Sequence, residues 1–322
     1  MPQVTNPTAG DVHVNAPLTN FAQKWLQSQD AFVASRAMPN HPVEKQSDLY
    51  YEFSREDFFR DEAQERSDGT ESAGGGFDLS TNPYFCRVYA FHKDVTDRQR
   101  ANADDPVRLD EAATQFVTLK MMLRKEILFR TSFFGTGIWG TDFTPVTKWN
   151  AASSTPISEI RTGIRTVHNA TGMRPNRMLI GRPSWDALLD NDDVLSRITG
   201  GSTKEIPAVV MRELIAALFE LEKIEVFDSV VNSAPKGAAE STAFIGGDSC
   251  LLYNAPNALG LDVPSAGAQF SWRGLFGSTA NGIRIKRFRH EPTASDRIEG
   301  EIAVDFKKTA AVLGYIINDT NA

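Results

Sequence analysis

The chain has 322 residues, 41% hydrophobic and 23% charged, an ordinary globular composition with enough length for a sizeable core. The net charge of −7 is unevenly placed: residues 46–105 carry 14 acids and 7 bases, residues 1–45 three of each, and residues 106–322 carry 24 of each. No block of Lys and Arg therefore offers a phosphate-tracking face, which excludes a dedicated nucleic-acid-binding profile.

Met1 to Asn20 contains no apolar run and is interrupted by Pro2, Pro7 and Pro17, so no signal peptide is expected. No window has the apolar length of a bilayer span. The expectation is a protein soluble and intracellular when made. Residues 1–45 read as an extended arm, with Phe21, Trp25, Phe32 and Val33 at loosely helical spacing. Such an arm would be disordered alone and would dock on something, a neighbouring subunit being one choice. Residues 48–59 and 83–93 are aromatic-rich and partly alternating, hence strand-like. Between them Arg60 to Ser80 is polar and acidic and holds Gly74-Gly75-Gly76. The expectation is a long two-stranded excursion with an acidic tip, a connection of functional length.

Val107 to Phe134 is the strongest helix in the pattern. Asp105 can cap it, Pro106 suits its first position, and Gly135 is a stop. Leu109, Ala113, Phe116, Leu123 and Ile127 define its apolar side. A second helix over 156–170 shows Ile157, Ile160, Ile164 and Val167 on one face, with Gly172 after it. A strand at 177–181, a helix through Trp185 and Leu188, a polar turn at 190–193 and a helix at 206–221 follow. Strands are expected at 223–231 and 242–253, then a β tail with alternation at 283–286 and 301–306 and a doubly buried strand at 309–317. This order argues for a mixed α+β protein.

Chemical motifs are few. Gly135-Thr-Gly-Ile-Trp-Gly140 matches GxGxxG in letters but follows a helix, so it reads as a connector. Asp190-Asn-Asp-Asp193 lacks the Gly and the distant Glu of a calcium loop and reads as a turn. His13, His41, His92, His168 and His290 are scattered, and Cys86 and Cys250 have neither a metal-ligand nor a disulfide-framework pattern. The sequons at Asn169 and Asn318 read as chance matches. Arg284, Lys286, Arg287 and Arg289 form a basic cluster. It could touch nucleic acid, but pairing with Glu291, Asp296, Glu299 and Glu301 across a hairpin is the favoured reading. No residue is assigned a catalytic, cofactor-binding or metal-binding role.

The order of parts resembles the major capsid proteins of tailed bacteriophages, whose fold encapsulins share. Tyr84-Phe-Cys-Arg-Val-Tyr-Ala-Phe-His-Lys-Asp-Val-Thr-Asp97, followed by Ala101-Asn-Ala-Asp-Asp-Pro106 and the long helix, is similar to that family's passage from E-loop to spine helix. Asn169-Ala-Thr-Gly-Met-Arg-Pro-Asn-Arg-Met-Leu-Ile-Gly181, then Pro183-Ser-Trp-Asp-Ala-Leu188, is similar to its entry into the A-domain. The resemblance implies an N-arm over 1–45, an E-loop over 46–95, the spine helix and first part of the P-domain over 96–154, an A-domain over 155–280 and a returning P-domain hairpin over 281–322. It implies a non-enzymatic shell protein that assembles with itself into pentamers and hexamers around double-stranded DNA. The implied partners are a separate scaffolding protein, a portal and a decoration protein, with no cofactor and no membrane. Assembly would take place in the host cytoplasm, and the mature location would be the virion capsid. An encapsulin-type compartment and a soluble enzyme with a non-local active site are the competing readings. Residues 46–92 contain no Lys, so the covalent Lys–Asn cross-link that some members form from the E-loop is not expected.

Overall fold

The computed structural model describes residues 27–103, 108–199, 208–258, 260, 263–276 and 282–321. Phe21, Trp25, the capping pair Asp105 and Pro106, and Ile206 and Pro207 lie outside them. In chain order come β1 (Asn40–Val43), β2 (Ser47–Phe53), α1 (Arg55–Phe59), β3 (Leu79–Phe85), β4 (Arg87–Thr96), α2 (Asp97–Ala101) and α3 (Leu109–Phe133). Then follow β5 (Thr141–Phe143), α4 (Pro156–Thr171), β6 (Arg177–Gly181), α5 (Arg182–Leu189), α6 (Asp192–Thr199) and α7 (Ala208–Phe219). The remaining strands are β7 (Lys223–Phe227), β8 (Val230–Asn232), β9 (Thr242–Phe244), β10 (Cys250–Tyr253), β11 (Gly267–Trp272), β12 (Ile283–His290), β13 (Ser295–Lys308) and β14 (Gly314–Ile317).

The long strand β13 organises the first sheet. Its Ile298, Gly300, Ile302, Val304 and Phe306 are buried, while Arg297, Glu299, Glu301, Asp305 and Lys307 are half-exposed, the period-two pattern of a strand. Ser295 to Val304 pair antiparallel with β4 along one edge. The other edge takes β12 and then β11, and β1 pairs parallel with β11. Helix α3, about 37 Å long at ~1.5 Å per residue, crosses the buried face. Ala113, Val117, Met121, Lys125, Phe129 and Phe133 form its buried stripe at every fourth residue. Gly300 lets strand and helix meet, because a Cβ there would stand 2.6 Å from Val117 Cγ1. Of the expected apolar side, Ala113 is buried, and Leu109, Leu123 and Ile127 pack at the edge of the core. Phe116 is instead exposed, since the stripe falls one residue away from it.

The second sheet has the order β5-β14-β10-β6-β7. Every residue of β6, β10 and β14 is buried, which explains their unbroken apolar runs. Alternate side chains enter different cores. Met178, Ile180, Cys250, Leu252, Tyr315 and Ile317 face Ile157, Ile160, Ile164 and Val167 of α4. Leu179, Leu251, Tyr253 and Ile316 face Phe129 and Phe133 of α3. Helix α4 ends at Gly172, which adopts φ +67° and donates its N–H to His168 O at 2.8 Å, the left-handed stop expected there.

Four expectations change. The run 48–59 is not one strand: β2 ends at Phe53 and α1 takes over. The run 83–93 divides at Cys86 into β3 and β4, because buried Cys86 is held where two sheets meet, its N–H on Gln46 O at 2.8 Å. The runs 223–231 and 242–253 each break in two, the second at Gly246-Gly247, where a Cβ on Gly246 would strike Phe227. Finally, the arm is in part docked on its own subunit, with Phe32, Val33, Ala34, Ala37 and Met38 buried.

Candidate functional site

Strands β2 and β3 form a free-standing antiparallel ribbon, with Asp48 opposite Tyr84, Tyr50 opposite Asn82 and Phe53 opposite Leu79. Residues directly opposite share a face. One face carries Asp48, Tyr50, Glu52, Asn82 and Tyr84. Its base is anchored: Tyr84 stacks on Phe270 with centroids 4.6 Å apart, Tyr50 lies on the same ring at 5.6 Å, and Asp305 Oδ2 accepts the Phe85 N–H at 2.8 Å. The opposite face carries Leu49, Tyr51, Phe53, Leu79, Pro83 and Phe85. Leu49, Tyr51, Phe53, Leu79 and Phe85 are each at least 45% exposed. At its far end Phe53, Phe58 and Phe77 gather, with centroids 5.5–6.3 Å apart, and Phe58 and Phe77 remain about 60% exposed. An apolar surface this continuous is the mark of an interaction site.

The clamp at the N-terminal segment is the feature that sequence reasoning missed. Glu126 is fully buried in α3 and accepts the N–H groups of Val33 at 2.7 Å and Ala34 at 3.0 Å. Beside it Lys125 donates to Ser35 Oγ at 2.8 Å. Arg177 donates to the carbonyls of Arg36 and Ala37, Tyr253 donates its hydroxyl to Ala37 O, and Arg36 pairs with Glu225. Residues 33–37 thus tie α3 to the second sheet. Burial pushes the Glu126 carboxyl up to about 7, against the pull of its N–H donors. Burial likewise brings the Lys125 ammonium down to about 8, opposed by Glu126.

The basic cluster of β12 is spent on ion pairs. Arg284 and Lys286 share Glu301, Arg287 meets Asp296 and Asp110, and Arg289 meets Asp97, Glu291 and Asp296. The hairpin reading therefore describes three of the four expected acids, Glu299 being the exception, and Asp97 and Asp110 join from outside. Arg287 and Arg100 hold the Asp296 carboxyl down to about 2.

The other motifs have structural duties. In the GxGxxG match, Trp139 is buried and stacks on Phe133 at 6.0 Å, and a strand follows instead of a helix. Asn191 hydrogen-bonds Trp149 O and Ser154 Oγ and caps α6 through Asp193 N–H. Burial raises both thiols, Cys86 to about 12, which leaves them unreactive at neutral pH. Among the described residues no group of three His, Cys, Asp or Glu could hold a metal ion.

Comparisons with known proteins agree with this geometry. The family model described as phage major capsid protein E matches residues 140–261. The major capsid protein of Burkholderia phage BcepMu is 23% identical over 223 residues, covering 67% of this chain and 69% of that protein. Among solved structures, a phage-related protein from Bordetella bronchiseptica RB50 superposes with a TM-score of 0.68 at 18% identity, covering 91% of this chain and 94% of its own. The capsid of Myoviridae phage XM1 superposes with a TM-score of 0.59 at 9% identity, covering 98% and 99%. The solved structures show that this chain has the fold of phage capsid proteins, and the family match and the curated relative make it similar to phage major capsid proteins.

Proposed function

We propose that this chain builds the icosahedral head of a tailed phage by assembling with itself into pentamers and hexamers around packaged double-stranded DNA. The observation that carries the reading is the ribbon: a long arm anchored at its base by Tyr84 on Phe270, with one face apolar and uncovered. A lone soluble protein gains nothing from that face, whereas a shell subunit covers it with a neighbour. Many such contacts, each weak, sum to a strong lattice through multivalency. In this reading residues 46–95 are the E-loop, 1–45 the N-arm, 96–154 the spine helix with the first part of the P-domain, 155–280 the A-domain and 281–322 the returning P-domain hairpin. The chain acts without catalysis, in the virion capsid, after assembly in the host cytoplasm. A separate scaffolding protein, a portal and a decoration protein are its partners. The phage reading is preferred to an encapsulin-type compartment because the family model and the curated relative are both phage proteins.

The test changes the ribbon alone. Tyr51→Ser, Phe53→Ser and Leu79→Ser together should leave the folded monomer's circular dichroism unchanged and abolish particles in sedimentation. Particles formed at the unaltered yield would remove the support the ribbon gives.

A further inference from the structure

The ribbon is held on its own subunit at both ends. Its base is fixed by Tyr84 and Tyr50 on Phe270. Its far end is ordered from within. Ser54 donates its N–H to Asp78 O at 2.9 Å, and Asp78 donates its N–H to Asp57 Oδ2 at 3.0 Å. Arg60 stands 3.6 Å from the same carboxylate. These contacts fix α1 at the end of the ribbon. Arg55 and Phe59, four residues apart, then share one side of it, while Phe58 turns to Phe53 and Phe77.

That side meets the C-terminal end of α4. Arg55 donates a guanidinium N–H to Ala170 O at 2.7 Å. Ala170 lies in the last turn of α4, where the carbonyls of a helix lack donors of its own and form the negative end of its dipole. A cation is therefore a fitting partner. Two residues on, Gly172 adopts φ +67° and leaves room for the Phe59 ring, which would stand 3.4 Å from a Cβ there. The contact is small. Phe59 stays 60% exposed, and Leu49, Tyr51 and Leu79 of the ribbon gain no cover from it. One hydrogen bond and one ring edge can hold the ribbon and can also release it.

We propose that this contact is an autoinhibitory latch, in which the C-terminal end of α4 parks the ribbon end of the same chain at Ala170 and Gly172 and so delays assembly. On the shell reading, on which the latch depends, a ribbon end fastened to its own α4 is not free to reach another copy. Only subunits with a released ribbon are then competent, and the apparent affinity between subunits falls by that fraction. Contacts that favour the released ribbon pull the equilibrium over. The latch acts before any neighbour is touched.

Gly172→Asn removes the seat and leaves the ribbon unchanged, because Asn tolerates the left-handed turn and sets a side chain against Phe59. Arg55→Gln removes the cation, and Arg55→Lys keeps it. Cys86 and Cys250 are buried, whereas Asp61 and Asn169 are exposed. Paired nitroxide labels at Asp61→Cys and Asn169→Cys therefore report where the ribbon lies in full-length subunits. One short distance is expected in the unaltered and Arg55→Lys chains, and a long, broad distribution in Gly172→Asn and Arg55→Gln. Light scattering after dilution from urea should show the lag before assembly shortened by about threefold or more in Gly172→Asn, with circular dichroism unchanged. A distance that neither Gly172→Asn nor Arg55→Gln alters, or a released ribbon with an unaltered lag, would overturn the latch and leave the shell reading standing. An unaltered chain that never assembles, even with its scaffolding partner, would overturn the shell reading and the latch together.

Discussion

Glu126 and Gly300 show how single positions set the geometry of this subunit. Removing the Glu126 carboxylate leaves the buried N–H groups of Val33 and Ala34 without an acceptor. Glu126→Ala should cost about 2–4 kcal/mol in urea unfolding of the monomer. Glu126 also gives a pH signature. Its native pKa is raised from 4.5 to about 7, so its contribution favours the folded state below pH 4.5 and is lost as pH rises through about 7. The stability of Glu126→Gln relative to the unaltered protein should therefore increase between pH 5 and pH 8, by about 1–3 kcal/mol. A constant difference across that range would show that Glu126 does not titrate there. At Gly300 the added methyl of Gly300→Ala would press on Val117 and Met121. The expected loss is about 1–3 kcal/mol of stability, measured by thermal unfolding.

At the scale of elements, legibility followed the source of each element's stability. Helix α4 was readable because Ile157, Ile160, Ile164 and Val167 face one core and Gly172 supplies the stop, so pattern and cap are both local. The ribbon was readable as a long acidic excursion, and the β13 tail as alternation. The break at Cys86 was not, because the letters on either side are equally strand-like and only the meeting of two sheets divides them. The burial of Lys125 and Glu126 was hidden as well. Adjacent charges on a helix normally face water, and the donors that make Glu126 tolerable lie more than 90 residues earlier in the chain. The same remoteness concealed the docking of residues 32–38, whose partners come from α3, β6, β7 and β10. Of the candidate site, the acidic tip could be read directly. Which ribbon face lies uncovered required the register of β2 against β3.

For the molecule as a whole, two sheets share one core and a third, two-stranded element stands out from it with an apolar face. On the proposed function that apolar face is covered by a neighbouring copy. Residues 46–92 contain no Lys, so the ribbon brings no amine for a covalent bond to a neighbour. Mature particles boiled in detergent should therefore run as a single band at the monomer mass, and a ladder of covalent oligomers would contradict this. On the proposed function, cohesion would then rest on non-covalent contacts, and those carried by charge would weaken with salt, over a screening length of about 8 Å at physiological ionic strength.

On the proposed function this chain builds a shell. Its most direct test is the mass of the purified full-length protein by light scattering on a sizing column, with negative-stain images of the same peak. Megadalton particles, or rings of five and six subunits, are the predicted result. A small species that stays monomeric or dimeric at high salt and with a crowding agent, also in the presence of its scaffolding partner, would contradict it.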